Sequence, residues 1–479
     1  MNPASRVLFA VVLVGTSACS INPATGRVQA FLIDEKQEVE IGREADQEIT
    51  SSMRTYAEAP ELVAKVEEVG GKIAEASERP QLPWTFRVLD DPAVNAFALP
   101  GGYVYVTRGL LTHLNSEDEL AAVIGHEAGH VTARHGAVKL RKTNVARRSV
   151  GVFRVIDPGL QHIGGFAAGV AGLALLKYSR DDEYQADDLA LRYVEATGYD
   201  PAGVPEVFTV LSSVADSEGR VPSWLSTHPE PELRQQRVTQ KLGKPGMPGP
   251  DPQWLALLEG VVYGRDARDG FMLEQRYVQP RAGFRIDMPP DWDVEVQTSG
   301  LLGVAGDENA LFVLGPSDQA TAAEALEAFF AETKLAKGEV WQGKIGTAPA
   351  VSAAFSIAAS DGSLTGLVAF VQHGRQVVAM IAAAPSEVWP EHADAIATTV
   401  SSFHALTDPR LLAVEPTRVH LDTLDAATTL AAYNQAEPSS IPVIELARIN
   451  HVAPDQSLPA GRLIKRVDGY NPTPPPKAD

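Results

Sequence analysis

Ala121-Ala-Val-Ile-Gly-His126-Glu127-Ala-Gly-His130 is the stretch from which the fold of this chain is read. It lies in a helical pattern: Ser116 with Glu119 forms a capping box, and Leu120, Val123 and Ile124 supply the apolar face behind it. One helical turn separates His126 from His130, so both imidazoles leave the same side and can hold one zinc ion. Glu127 lies next to that face, where a carboxylate can take a proton from the attacking water. Ala128 and Gly129 keep the helix slim where other backbone must approach. The pattern alone can arise by chance, so it needs a third ligand and a fitting context.

Tyr178-Ser-Arg-Asp-Asp-Glu183-Tyr-Gln-Ala-Asp187, running helically to Gly198, provides both. Glu183 and Asp187 are again one turn apart on one face. Glu183 can be the third ligand, and Asp187 can accept the outer N–H of a ligating histidine and fix its tautomer. An acidic solvated face is the competing reading, but the flanking Ala186, Leu189 and Ala190 make this face less open to water. His135 competes for the third place. It follows His126 by nine residues, where the three-histidine zinc signature needs ten and a glycine at the position of Ala133, so it is read as structural. Ser226-Thr-His228-Pro-Glu-Pro-Glu-Leu-Arg234 reads as a loop entering a helix. Pro229 disfavours helix at His228 and puts its imidazole on an extended loop.

The 479 residues are enough for several domains, and the net charge of −20 argues against a nucleic-acid surface. Cys19 is the only cysteine, which excludes a disulfide framework and a cysteine metal site. It ends a segment with Arg6, a short apolar run and small residues, the makings of an export signal. Small residues before a lone cysteine resemble a bacterial lipobox, although Thr16 departs from its usual aliphatic residue. The expected address is therefore exported and periplasmic, lipid-anchored through Cys19. Ser20, in place of Asp, resembles sorting to the outer membrane. Ordinary cleavage near Ala18 with a free thiol is the alternative.

Along the chain, residues 34–50 and 61–77 read as amphipathic helices and 84–89 as a strand. Asn95-Ala-Phe-Ala-Leu-Pro-Gly-Gly102 leads through a turn into a strand over 103–106. A strand before a zinc helix can lie at the lip of a cleft and pair with an extended peptide, which makes Asn95, Ala96, Phe97, Ala98, Gly101 and Gly102 candidate substrate contacts. A plain core hairpin is the alternative. Residues 134–148 are basic, a solvated face or a contact for anionic lipid. Residues 150–176 read as a buried or membrane-apposed hairpin rather than a span. Gly243 to Pro252 is a proline–glycine linker and the clearest domain boundary.

These segments together resemble the HtpX-like zinc peptidases of metallopeptidase family 48, of the soluble periplasmic BepA/LoiP type. The resemblance rests on Asn22-Pro-Ala-Thr-Gly-Arg27, Asn95 to Gly102, His126 to His130, Ser179 to Asp187, and Thr227-His228-Pro229 with Arg234. It implies zinc on His126, His130 and Glu183, Glu127 as general base, Asp187 behind a ligand, and His228 over the metal. There His228 would serve as oxyanion donor or as a fourth ligand in a latent state. The implied substrates are proteins or peptides, in particular unfolded or misassembled envelope proteins. BepA-type proteins carry helical repeats after the peptidase domain, and none is read here.

The expected architecture is α+β and multidomain. A mostly helical gluzincin-type domain with a small sheet covers 20–265, after a signal peptide at 1–19. An α/β module at 270–407 follows, in which Phe284 to Trp292 resembles the opening of PsbP-like domains. In a small βααβ module at 415–468, Leu446-Ala-Arg-Ile-Asn450 with Leu458-Pro-Ala-Gly461-Arg-Leu-Ile-Lys465 resembles the second half of LysM peptidoglycan-binding modules. The first half keeps only Thr429-Leu430, and 469–479 is a disordered tail. In the α/β module, strands are expected at 276–288, 310–314, 350–357, 366–371 and 376–381, with helices at 321–334 and 390–403. The rival from another class is a non-proteolytic chaperone or peptidoglycan-associated scaffold, against which the intact Glu127 speaks. Cys19→Ser is expected to move the protein from the membrane to the soluble periplasmic fraction. Retention after a carbonate wash would make 150–176 the anchor.

Overall fold

The computed structural model describes residues 19–469 apart from 23, 25, 27, 31–32, 138–176, 219–223, 225–226, 244–248, 299 and 360–361. The signal segment, the tail, the 150–176 hairpin and the basic residues after Arg134 lie outside the described residues. Among the described residues no helix is long and apolar enough to cross a membrane.

The strands β1 (Cys19–Ile21) and β2 (Val28–Ala30) pair antiparallel and lead into α1 (Glu35–Ser52) and α2 (Pro60–Ala76). Asp34 and Gln37 close a capping box on α1, and Pro60 opens α2 where a missing N–H costs nothing. The strands β3 (Thr85–Leu89), β4 (Ala96–Leu99) and β5 (Tyr103–Thr107) form a small sheet in the order β3-β5-β4. β5 runs parallel to β3 and antiparallel to β4, which leaves β4 outermost. Gly101 and Gly102 turn between β4 and β5 at φ of 86° and 104°, which favours glycine. A Cβ on Gly101 would stand 2.7 Å from the Val39 Cα, so this turn also packs on α1.

After α3 (Arg108–His113) comes α4 (Glu117–Thr132), which carries the two histidines. Ser116 Oγ accepts from the Glu119 N–H, as the capping box requires. The returning half differs: the Glu119 carboxylate accepts from Asn115 N at 2.7 Å. The next helices are α5 (Arg180–Thr197), α6 (Gly203–Glu218), α7 (Pro231–Leu242) and α8 (Pro252–Leu258). α5 packs closely on α4, where a Cβ on Gly129 would lie 3.0 Å from Ala186 O. The 243–252 linker is not the boundary its composition suggests. Trp254 of α8 is fully buried in the same core as α4, and its indole N–H donates to Leu114 O at 3.0 Å.

The middle of the chain supplies β6 (Phe271–Leu273), β7 (Arg276–Gln279), β8 (Phe284–Asp287), β9 (Trp292–Gln297), β10 (Gly300–Ala305) and β11 (Leu311–Ser317). It continues through α9 (Ala322–Thr333), β12 (Ala336–Ile345), β13 (Ala348–Ala359), β14 (Gly362–His373), β15 (Gln376–Pro385), α10 (Trp389–Ser401) and β16 (His404–Ala405). Seven strands form one sheet in the order β12-β13-β14-β15-β11-β10-β9, and four form another, β16-β8-β7-β6. β15 is buried on both faces: Met380 and Ala382 share a core with Ile396 of α10, and Ile381 and Ala383 share one with Phe329 of α9. The single strand expected over 276–288 is a hairpin, β7 and β8, turned at Pro280 and Gly283. β9, β10 and β12 were not read from sequence.

The last unit holds β17 (Arg418–Thr423), β18 (Thr428–Thr429), α11 (Leu430–Ala436), α12 (Val443–Ile449), β19 (Ser457–Leu458) and β20 (Leu463–Asp468), with β17 pairing β20. It is not a detached bead. Val419, Leu446 and Ile464 belong to the same core as Leu120 of α4 and Trp254. Val419 exchanges backbone hydrogen bonds with Gly260 and Val261, both at 2.8 Å. The fully buried Lys465 donates to Thr112 O at 2.8 Å and Leu114 O at 3.1 Å, and His451 Nε2 lies 2.8 Å from His113 O. Burial raises the Glu119 pKa and lowers that of Lys465. Glu58, before α2, accepts from both Arg268 and Arg418 and so ties the three units at one point. Lys465→Ala leaves the Thr112 carbonyl without this partner and is expected to cost about 1–3 kcal/mol in urea unfolding. A change below about 0.5 kcal/mol would mean that the dock carries no stability.

Candidate metal centre

Four side chains from three places in the chain converge in the helical unit. His126 and His130 come from α4, Glu183 from the first turn of α5, and His228 from the segment before α7. All four are at most 5% exposed. His126 Nε2 lies 3.1 Å from His130 Nε2, 3.5 Å from Glu183 Oε2 and 3.3 Å from His228 Nδ1. Glu183 Oε1 lies 3.6 Å from His130 Nε2 and 3.0 Å from His228 Nδ1. Zinc–ligand bonds of about 2.0–2.1 Å put the edges of a tetrahedron at about 3.3–3.4 Å, so these spacings fit one tetrahedral ion. The chemistry agrees. Three imidazoles and a carboxylate here turn nitrogen and oxygen atoms toward one point, an arrangement that a cation stabilises.

Electrostatics favour positive charge at this point. Burial and Arg234 oppose a charged His126, yet the Asp187 and Glu183 carboxylates outweigh both and raise it to about 9. Burial also opposes ionisation of Glu183, but His228 and Arg234 hold it well below the usual carboxylate range. Burial drives His130 well below the usual histidine range. Asp187 Oδ1 is 3.0 Å from His126 Nδ1, where it can accept the outer ring proton. Glu127 is fully buried and neither carboxylate oxygen has a hydrogen bond; the nearest histidine nitrogen, His228 Nε2, is 3.7 Å away. Leaving a buried carboxylate unpaired is costly, so a side chain kept this way calls for a chemical reason. A cavity of about 10 Å³, room for one water, lies between Val123, Phe208 and Trp224 and touches His126 and Glu127.

His228 departs from its expected setting. Its N–H donates to Trp224 O at 2.8 Å, so it ends a helical turn rather than riding an extended loop. Its ring stacks on Trp224 at 4.5 Å. Pro229 still ends the turn there, because the residue before a proline resists helix.

Two neighbours were missed as parts of the centre. Arg234 is 1% exposed and forks onto Asp187, with Nε–Oδ2 at 3.0 Å and Nη2–Oδ1 at 2.6 Å. Its Nη1 is 2.6 Å from Glu183 Oε2, and its guanidinium sits over the rings of Phe208 and Trp224. The available signal was its spacing of four from Val238 on α7, which puts both on the buried face. Tyr178 stacks on His130 at 3.8 Å, and its N–H donates to Thr227 O at 3.0 Å.

The candidate substrate contacts are placed unevenly. Ala96, Phe97 and Ala98 lie in β4, buried beside α4, and the buried Asn95 Oδ1 has no hydrogen-bond partner. Gly101 and Gly102 instead form the turn against α1 and Trp84. Cys19 pairs with Ala30 in the β1–β2 ribbon, and Asn22 just after it donates to Ala133 O at 2.9 Å, at the end of α4.

Residues 60–242 match Peptidase family M48. The chain is 36% identical over 162 residues to the mitochondrial metalloendopeptidase OMA1 of Arabidopsis thaliana, covering 33% of this chain and 32% of that one. It is 27% identical over 184 residues to the beta-barrel assembly-enhancing protease of Escherichia coli K12, covering 36% and 38%. The chain thus spans about a third of the length of these relatives. Among solved structures, cyanobacterial PsbP of Synechocystis sp. PCC 6803 aligns at 12% identity over 27% of this chain and 91% of that one, with a TM-score of 0.24, too low to assign a fold. The part of the chain that carries the histidine–glutamate cluster, residues 60–242, is a Peptidase family M48 domain, homologous to the beta-barrel assembly-enhancing protease.

Proposed function

We propose that this protein is a zinc-dependent endopeptidase of the bacterial cell envelope that cleaves unfolded or misassembled envelope proteins. The observation that carries the chemistry is Glu127, buried and without a hydrogen bond beside four converging ligand atoms. Zinc held by His126, His130 and Glu183 would polarise the scissile carbonyl and lower the pKa of water toward about 7. Glu127 takes the proton of the attacking water and hands it to the leaving amine. Asp187 keeps His126 in the tautomer that aims Nε2 inward. β4, outermost in its sheet, offers an edge with which an extended substrate can pair.

His228 is the latch in this reading. A catalytic zinc site keeps one position open, and a fourth protein ligand closes it. With His228 Nδ1 among the ligand atoms the site is latent. Once it swings aside, its ring can donate to the developing oxyanion. The lipobox-like segment ending at Cys19 supports a lipid-anchored, periplasmic address at the outer membrane. In the same reading the seven-stranded middle unit is a PsbP-like docking module, and the βααβ unit is LysM-like and a candidate for peptidoglycan.

Glu127→Gln is expected to retain zinc and thermal stability while kcat on a casein-type substrate falls at least about 10²-fold. Glu183→Gln is expected to lose metal and stability together, since binding and folding are linked. Equal zinc loss in both would overturn the roles. His228→Ala is expected to bind a hydroxamate inhibitor at least about tenfold more tightly and to lower kcat with little change in KM. Unchanged inhibitor affinity and unchanged kcat would remove His228 from the mechanism.

A further inference from the structure

We propose that His135 is a positioning residue that fixes the tautomer of His130 and so aims His130 Nε2 at the metal. This rests on the reading of His126, His130 and Glu183 as the metal-holding set. His130 Nδ1 and His135 Nδ1 are 2.8 Å apart, and His135 Nε2 is 3.1 Å from Gln185 Oε1. A contact between two ring nitrogens with no cation between them needs a proton on one and a lone pair on the other. The Gln185 oxygen can only accept, so the proton of His135 sits on Nε2 and its lone pair on Nδ1. His130 must then donate from Nδ1. That leaves its own lone pair on Nε2, the atom facing His126 and Glu183. With neutral rings this assignment satisfies both contacts.

The backbone is bent to make the relay. α4 ends at Thr132, and Arg134 then takes φ of 59°, a left-handed conformation that turns the chain back on itself. Arg134 is held by Glu38 at 2.8 Å and Ile33 O at 2.9 Å, while Asn22 holds Ala133 O. The His135 ring is thereby returned to within 5.0 Å of the His130 ring. The two ligand histidines are oriented by partners of different charge. His126 faces Asp187, a carboxylate backed by Arg234, and His130 faces a neutral imidazole backed by an amide. Asp182 lies 3.6 Å from His135 Nε2, beyond a hydrogen bond. A neutral acceptor orients the second ligand without adding another negative charge beside Glu127, Glu183 and Asp187.

The test uses the full chain, stripped of metal and titrated with zinc against a chromophoric chelator. His135→Phe keeps a ring but removes the acceptor, and the Oδ1 of His135→Asn replaces the acceptor close to the position of Nδ1. His135→Phe is expected to weaken zinc binding about 10- to 100-fold and to alter the visible spectrum of the cobalt-substituted protein, with apo thermal unfolding unchanged. His135→Asn is expected to restore most of the affinity. Wild-type zinc affinity in His135→Phe overturns the proposal, and so does a His135→Asn variant as weak as His135→Phe, which would point to ring packing. Glu183→Gln in the same titration separates the two layers. If it binds zinc normally the metal reading itself fails; if it loses zinc while the His135 variants do not, only the relay fails.

Discussion

The centre depends on one guanidinium. Arg234 is buried and is shared by Glu183 and Asp187, two carboxylates that lie a helical turn apart and are themselves fully buried. Without it, α5 would place two negative charges in an interior that cannot solvate them. With it, both carboxylates stay ionised and directed, one into the ligand cluster and the other onto His126. The aromatic faces of Phe208 and Trp224 complete the seat of the cation. A single divalent ion is then enough to meet the negative charge that Arg234 leaves over.

The ligand helix is held at both ends by parts of the chain far from it in sequence. Its C-terminal carbonyls receive Asn22 at Ala133 and Arg79 at Val131. At its N-terminal end Glu119 caps Asn115, and His451 and Lys465 of the last unit close over α3. Cations and donors at the C-terminal end also suit the helix dipole. The geometry of His126 and His130 is therefore fixed by neighbours, while the close approach of α5 at Gly129 and Ala186 brings Glu183 within reach.

Much of the centre was legible because periodicity is local. His126 and His130, like Glu183 and Asp187, sit one turn apart, and helix phase alone puts each pair on one face. Arg234 was visible as part of a family pattern, but its role depends on where α7 lands against α5, which periodicity does not specify. His135, read as structural, is a different case. Counting residues sets it aside as a third ligand, but counting cannot show that a left-handed Arg134 folds its ring back onto His130. β12 escaped notice because most of its residues are exposed and carry no clear alternation. The composition of 243–252 was read correctly as proline–glycine-rich but wrongly as a boundary, because burial of Trp254 comes from tertiary packing.

The dock of Lys465 on α3 also has a consequence in time. Its bond to Thr112 joins residues 353 positions apart, a closure that long-range topology makes late in folding. A chain emerging from its N-terminus completes residues 60–242 well before residue 465 exists, and domains made first tend to fold first. Here the core is shared: Val419, Leu446 and Ile464 join Leu114, Leu120 and Leu258 in one cluster, which is complete only when the last fifty or so residues arrive. The core around the ligand helix is thus tied to the arrival of residues 418–468, and a chain stopped before them would lack that part of it.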